Sequence, residues 1–185
     1  MGSFKASMLV VLSLYHLILI LLFISFQQAN KFVFADDKLI EQQCHNAEVP
    51  AACIQCLKSD PRGQVADKVG IATIVINCLR NNAEILANNM SNLASSVQDK
   101  KIKPLLQDCE KGFVQAKNDL STATNQLKSK DYDKTNHFVR TALEPEIVCK
   151  KNVVSLKVRV PSNILNEMRV YEELSDAAMR IIDRF

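Results

Sequence analysis

The stretch from Val69 to Val97, VGIATIVINCLRNNAEILANNMSNLASSV, carries the pattern that decides the fold. Its apolar residues recur at alternating spacings of three and four: Val69, Ala72, Ile76, Leu79, Ala83, Leu86, Met90, Leu93 and Val97. Such a repeat places one apolar stripe along a helix. We therefore predict a long helix from about residue 64 to residue 97 that buries this stripe.

Three further helices are predicted after it. The second repeats the same spacing at Ile102, Leu106, Cys109, Phe113, Ala116, Leu120, Ala123 and Leu127. A third is expected from about Asp131 to Lys150, kinked or split by Pro145, which lacks a backbone N–H. Residues 152–162 have the composition of a loop, and a fourth helix follows from about Ser162. Four helices with narrow apolar seams and short connections predict an antiparallel up-down-up-down bundle.

The region before the bundle is expected to be a helical hairpin. Two short helical pieces are predicted there, Lys38–His45 and Pro50–Lys58, and neither is long enough to be stable alone in water. Cys44 and Cys53 are well placed to clamp them together. The predicted organisation is therefore all-α, with a leader over residues 1–35, the hairpin over 36–61 and the bundle over 62–185.

The first 35 residues have the features of a secretory signal. Lys5 precedes an apolar run, Met8–Phe26, and small residues before Asp36 provide a cleavage site after Ala35. The run is also long enough to span a bilayer, so an uncleaved signal anchor is the rival interpretation. We expect cleavage, release from the membrane and secretion.

Charge and cysteine content fit a secreted chain that does not bind nucleic acid. Residues 36–185, which exclude Lys5 and Lys31, carry 21 basic and 20 acidic side chains, so their charges nearly balance. A nucleic-acid binder would instead show a basic face. All six cysteines follow residue 35, and in a secreted chain they favour disulfides.

Enzymatic and metal-binding functions find little support. A zinc site at Cys53-x-x-Cys56 would need a second ligand pair, and the nearest candidate, Cys44-His45, is formed by adjacent residues that point apart on a helix. A redox motif would need a βαβ context. The chain has too few glycines for a nucleophile elbow. We expect no catalytic residue, no metal and no cofactor.

Two features leave alternatives open. Cys56 and Cys78 both lie in apolar helical settings, where buried free thiols are the default, but a third disulfide between them is the alternative. Asn89-Met90-Ser91 is an N-glycosylation sequon, which can be used only if Asn89 faces outward.

Several segments together resemble the plant invertase/pectin methylesterase inhibitor family over nearly the whole chain after residue 35. The matching segments are Cys44-x8-Cys53, LKSDPR (57–62), PLLQDCEKGFVQAKNDL (104–120), LKSKDYDKTNHFVRTALEPEIVCK (127–150) and the final amphipathic helix. The resemblance implies a four-helix bundle behind a helical hairpin. It also implies the bridges Cys44–Cys53 and Cys109–Cys149, to which Cys56 and Cys78 are additional.

The resemblance further implies a function without chemistry of its own. Family members are secreted proteins of the cell wall (apoplast) or vacuole that block the active-site cleft of a carbohydrate-active enzyme in a 1:1 complex. Pectin methylesterase (pectinesterase) and acid invertase (beta-fructofuranosidase) are the alternative targets. A more distant alternative is a secreted helical signalling or structural protein.

The turn after the second bundle helix indicates the target. Invertase inhibitors of the family often carry Pro-Lys-Phe there, whereas this chain has Asp131-Tyr132-Asp133, which resembles the pectin methylesterase inhibitors. We therefore expect pectin methylesterase to be the target, covered by the face of the second and third bundle helices. Candidate contacts at the turn are Lys130, Tyr132, Asp133 and Lys134. Asp131 itself is predicted to be the N-cap of the third helix.

Overall fold

A computed structural model describes residues 15–20, 37–155 and 158–185 in two compact units, 1–39 and 40–185. In the first unit, residues 15–20 and 37–39 are helical. Most of the predicted signal, including the cleavage site after Ala35, lies outside the described residues. Within the described ranges, no helix is long and apolar enough to cross a membrane.

The second unit is built from helices, and its described residues contain no strand. Residues 40–44 form a short helical segment ahead of the main elements. The main elements are α1 (Pro50–Ser59), a 3-10 turn (Gly63–Val65), α2 (Lys68–Ser96), α3 (Ile102–Lys128), α4 (Tyr132–Ser155) and α5 (Ser162–Ile182).

Helices α2 to α5 close into a four-helix bundle. Each packs against the next along the chain, and α5 also packs against α2, while α1 lies against α2 and α5. Short connections force sequential neighbours to run antiparallel. This arrangement confirms the predicted bundle preceded by a helical hairpin.

The first bundle helix, α2, begins four residues later than predicted. Residues Gly63–Val65 form a separate 3-10 turn, and Asp67 adopts an extended backbone and accepts a hydrogen bond from the Gly70 N–H at 2.7 Å. Asp67 is therefore the N-cap that fixes the start of α2. The middle of the predicted seam, from Ala72 to Met90, is buried. The apolar stripe is wider than predicted, with Ile71, Ile74 and Val75 also buried, because α2 contacts three neighbouring helices.

The third bundle helix, α4, differs more from its prediction. It is neither split at Pro145 nor ended at Lys150, but continues to Ser155. Residues 152–155, predicted as loop, are therefore helical. Val153 is only 4% exposed, so packing against the bundle holds this extra turn.

Pro145 fits within the bundle because α3 provides a glycine opposite it. A Cβ atom on Gly112 would lie only 2.8 Å from the Cβ of Pro145. A side chain at position 112 would therefore push the two helices apart, and glycine permits their close approach.

Two aromatic residues connect three bundle helices in the core. The rings of Phe113 on α3 and Tyr171 on α5 meet edge to face, with centroids 5.8 Å apart. The hydroxyl of Tyr171 donates to the carbonyl of Ala142 on α4 at 2.6 Å, so this buried polar atom is satisfied. Burial raises the pKa of the Tyr171 hydroxyl well above its usual range.

Three disulfides cross-link the described residues. Cys44–Cys53 joins the helical segment 40–44 to α1, and Cys109–Cys149 joins α3 to α4. The structure also joins Cys56 on α1 to Cys78 on α2, so these cysteines form the third bridge instead of the default free thiols. Cys53 and Cys56 are each bonded to another cysteine and are not free to bind zinc as a pair.

The C-terminus is tied back to the hairpin. Arg184 donates a hydrogen bond to the carbonyl of Gln43 at 2.5 Å, and the Glu48 N–H donates to Asp176 at 2.7 Å. Together with Cys44–Cys53 and Cys56–Cys78, these contacts hold the hairpin against one end of the bundle.

Candidate functional site

The turn between α3 and α4 has a strained backbone at Lys130. The Asp131 N–H donates to Gln126 O and the Lys130 N–H to Leu127 O, both at 3.0 Å, which is the Schellman pattern of a helix end. This pattern places Lys130 in the left-handed region, at φ 62°. Glycine normally occupies that position, so a lysine there carries a conformational cost.

Asp131 is the N-cap of α4, as predicted. Its carboxylate accepts the Lys134 backbone N–H at 3.1 Å and pairs with the Lys134 ammonium at 2.7 Å. These two interactions with Lys134 hold the pKa of Asp131 below its usual range. Both the Asp131 carboxylate and the Lys134 ammonium therefore already have partners within the turn.

A groove of about 570 Å³ opens between this turn and the end of α5. The ring of Tyr132 packs on that of Phe185, with centroids 4.9 Å apart, and Asn136 donates to Asp183. Lys130 and Asp133 are exposed at the rim of this groove. The structure therefore brings Lys130, Tyr132, Asp133 and Lys134 to one end of the bundle, and their role in target binding stays a prediction.

A second groove, of about 370 Å³, runs between α3 and α4. Its centre is the close contact of Gly112 with Pro145, beside the Cys109–Cys149 bridge, and Leu105 and Val148 widen it with apolar surface. Val148 is 57% exposed. Carboxylates of Asp108, Asp119 and Glu144 stand around the groove. An apolar floor with a polar rim is the usual make-up of a protein-binding surface.

The two grooves share no lining residue, and their centres lie at different levels of the bundle. Gly112 and Ser129 are separated by 17 residues of helix, or about 25 Å at 1.5 Å per residue. The candidate contacts named from the turn do not line the groove between α3 and α4. Its lining residues Leu105, Gly112, Pro145 and Val148 were not among the residues predicted from the sequence. The Cys109–Cys149 pairing could have identified the contact between Gly112 and Pro145. Once Cys109 pairs with Cys149 in antiparallel helices, residue 112 must face residues near 146.

A buried carboxyl group lies on the other side of α4. Glu146 is 0% exposed, and neither of its carboxyl oxygens has a hydrogen-bond partner among the described residues. Burial, together with the nearby charge of Glu172, raises the pKa of Glu146 to about 7, against the opposing effect of Lys150. Lys150 and Glu172 form an ion pair of 2.6 Å that connects α4 to α5.

The predicted glycosylation site lies on α2, where Asn89 is partly exposed. Asn89 thus has access to solvent beside the buried seam residue Met90. Its modification stays a prediction.

The left-handed backbone at Lys130 leads to a stability prediction. Lys130→Gly should raise the free energy of unfolding by about 1 kcal/mol, because glycine adopts this conformation without steric cost. Lys128→Gly, inside the last turn of α3, is the matched control and should lower it by about 1 kcal/mol. Urea unfolding of the two variants measures both values. Equal destabilisation by the two substitutions would contradict the assigned backbone strain.

Comparison with known proteins places the chain among inhibitors. The family model described as plant invertase/pectin methylesterase inhibitor matches residues 38–181. The cell wall / vacuolar inhibitor of fructosidase 2 of Arabidopsis thaliana is 33% identical over 113 residues, which are 60% of this chain and 63% of that relative. The chain thus spans under two thirds of that protein. The pectinesterase inhibitor of Actinidia deliciosa is 26% identical over 165 residues, 89% of each chain.

Solved structures show the same fold. The crystal structure of mutant form A of a pectin methylesterase inhibitor from Arabidopsis superposes with a TM-score of 0.65 at 20% identity, covering 76% of this chain and 92% of that one. A pectin methylesterase inhibitor from Arabidopsis thaliana gives a TM-score of 0.59 at 19% identity, covering 80% and 96%.

Proposed function

Because the chain belongs to the plant invertase/pectin methylesterase inhibitor family, we propose that it inhibits pectin methylesterase by covering the active-site cleft with its α3–α4 face. The family match runs over residues 38–181, and the named relatives are inhibitors. The chain is accordingly an inhibitor and not an enzyme. It acts after secretion into the cell wall, in a 1:1 complex with its target.

The observation that carries this proposal is the rigid groove between α3 and α4. The Cys109–Cys149 bridge and the Gly112–Pro145 contact fix the two helices at close range, so the groove exists before any partner binds. Pre-organisation of this kind reduces the entropy lost on association. Val148 and Leu105 present apolar surface within it, of the kind that supplies the buried core of an interface.

Two observations favour pectin methylesterase as the target. The turn carries Asp131-Tyr132-Asp133 where invertase inhibitors of the family often carry Pro-Lys-Phe. The similarity to the pectinesterase inhibitor of Actinidia deliciosa also extends over 89% of both chains.

The second candidate target is acid invertase, in the cell wall or the vacuole. Its support is the higher identity, 33%, to the inhibitor of fructosidase 2, although that similarity covers 60% of this chain. The two targets are separated by assaying both enzymes with the same preparation of the chain.

A charge placed in the groove tests the proposed face. Val148→Asp should weaken inhibition of pectin methylesterase by at least about tenfold, which corresponds to 1.4 kcal/mol of binding free energy. Val148 is more than half exposed, so the substitution should leave folding intact. Inhibition constants from titration of the enzyme measure the effect.

Ile85→Asp provides the matched control. Ile85 is 47% exposed and lies on α2, in a groove shared with α1 and α5. It should leave inhibition unchanged. A loss of inhibition by Ile85→Asp, with Val148→Asp remaining active, would move the binding face to the opposite side of the bundle.

A further inference from the structure

One end of the bundle is formed by the α2–α3 turn and by residues 158–161, which lie between α4 and α5. The antiparallel order of the helices puts both connections at the same end, and the Cys109–Cys149 bridge fixes the register of α3 against α4. Counted along the helix axes at 1.5 Å per residue, Lys103 and Ser155 both lie about 9 Å beyond this bridge. The Val158 N–H donates to Val153 O at 3.0 Å, which holds residue 159 next to the end of α4.

This end of the bundle carries a cluster of unpaired cations, which we call the basic end. Its members are all exposed and none forms an ion pair with another described residue: Lys100, Lys101, Lys103, Lys151 and Arg159. Asp99 is the one acidic residue in 96–107 and 150–166, and Glu172, which lines a groove with Lys151 and Val154, is paired with Lys150. The Asp99 carboxylate accepts the backbone N–H groups of Lys101 and Ile102, at 2.7 and 3.1 Å, so it caps α3.

The basic end contrasts with the rest of the chain. Residues 36–185 carry nearly equal numbers of acids and bases. At this end, in contrast, five exposed cations stand with Asp99 as the one acid in the adjoining segments, so the charge distribution of the molecule is uneven. Such a patch attracts a polyanion and raises its local concentration.

We propose that the basic end binds a polyuronide, that is, an acidic polysaccharide with one carboxylate per sugar. Five cations, spread over the α2–α3 turn, the adjoining ends of α3 and α4 and residue 159, suit a ligand that offers many carboxylates in a row better than a single anion. Val154, which is 71% exposed in the last turn of α4, offers apolar surface for the carbon face of a sugar ring. The choice of polymer rests on the proposed function, because hydrolysis of pectin methyl esters leaves free carboxylates on the polymer.

The consequence is a second binding activity, centred away from the middle of the enzyme-binding face. The middle of the groove, at Gly112 and Val148, lies two to three helical turns from the start of α3, and the groove meets the basic end only at Leu105 and Asn152. A chain held on de-esterified pectin would thus be concentrated where its target has acted, with the α3–α4 groove still accessible.

Co-sedimentation of the chain with polygalacturonate tests this activity without any enzyme. Binding is expected at 20 to 50 mM salt, with strong weakening at about 0.5 M, because screening shortens the range of exposed charges. Highly methyl-esterified pectin, which has the same backbone without the charges, should bind at least about tenfold more weakly.

Charge-neutralising variants assign the binding to its end of the bundle. The triple variant Lys100→Gln, Lys101→Gln, Lys103→Gln should bind polygalacturonate at least about tenfold more weakly while inhibiting pectin methylesterase normally. The matched control neutralises three exposed lysines elsewhere: Lys58→Gln, Lys68→Gln and Lys128→Gln. It removes the same net charge and should bind like the unmodified chain.

Several results would overturn the assignment. They are absence of binding at 20 mM salt, equal binding to esterified pectin, and equal loss of binding in the control variant. Tighter binding to anionic phospholipid vesicles or to DNA would give the basic end a different partner. If the chain binds polygalacturonate but inhibits neither enzyme, the proposed function is rejected and the polyuronide site is retained. If the chain inhibits an enzyme but does not bind polygalacturonate, the polyuronide site is rejected and the proposed function is retained.

Discussion

Replacing both Cys109 and Cys149 by alanine is expected to lower the free energy of unfolding by about 4 kcal/mol. The bridge closes a loop with a sequence separation of 40 residues, and cross-linking a loop of this length removes about that much chain entropy from the unfolded state. Both cysteines are at least 95% buried. Alanine is therefore used in place of serine, whose hydroxyl group would be left unsatisfied there. Urea unfolding under non-reducing conditions measures the change.

The Cys44→Ala, Cys53→Ala variant is the matched control for loop length. Its separation is only 9 residues, so the same reasoning gives a smaller loss of about 3 kcal/mol. The α3–α4 double variant should also inhibit its target less strongly, because the bridge fixes one wall of the groove. An α3–α4 variant with unchanged stability and unchanged inhibition would contradict the assigned role of the bridge.

Glu146→Gln is expected to stabilise the protein at pH 8 and to have little effect at pH 4.5. The pKa of Glu146 is about 7 in the folded chain, above its ordinary value of 4.5. Between these two pH values the folded state holds a proton that the unfolded state has released, so the free energy of unfolding falls as pH rises. This loss of stability is nearly complete at pH 8, where the folded chain must hold an ionised Glu146 in the buried site beside Glu172.

The size of the effect at pH 8 should be about 2 kcal/mol after allowance for solvent screening, or roughly 4–8 °C in Tm. Thermal unfolding of the two proteins from pH 4 to pH 8 measures it. Glu144→Gln is the matched control, since Glu144 is exposed on the same helix two residues away. A constant difference in Tm between the Glu146→Gln variant and the unmodified chain over this range would show that Glu146 does not titrate in it.

The apolar repeat predicted the bundle well because it records burial directly. Every seam position from Leu106 to Leu127 is buried in α3, and the fourth helix begins at Ser162 as expected. The predicted end of α4 was wrong because residues 152–162 were assigned to a loop from their composition. Val153 continues the spacing of Val139, Ala142 and Cys149, and that phase alone extends the helix beyond Lys150.

Residue type concealed the buried carboxyl group. Glu146 follows Ala142 by four residues and precedes Cys149 by three, so it occupies a seam position that the repeat itself identifies. A glutamate there reads as solvent-exposed, whereas the apolar neighbour Ile147 is 52% exposed in the structure. The spacing of the apolar residues thus places Glu146 on the buried face of α4, whereas its charge alone would place it on the exposed face.

Contacts between distant segments could not be predicted from the local pattern. Cys56 and Cys78 are bridged because α1 lies against α2, and no periodicity within either helix fixes that placement. The groove at Gly112 and Pro145 depends on the register of α3 against α4, which follows only once the Cys109–Cys149 pairing is given. The turn at Lys130 was located correctly, but its left-handed backbone depends on the Schellman ending of α3.

Titration of the disulfide-bonded, secreted chain into two purified enzymes tests the central claim most directly. One assay follows hydrolysis of methyl-esterified pectin by a plant pectin methylesterase, and the other follows hydrolysis of sucrose by an acid invertase. The expected result is that pectin methylesterase loses its activity at about one molar equivalent of chain, while invertase is unaffected. Full pectin methylesterase activity in the presence of excess folded chain would contradict the claim, and loss of invertase activity instead would establish the alternative target.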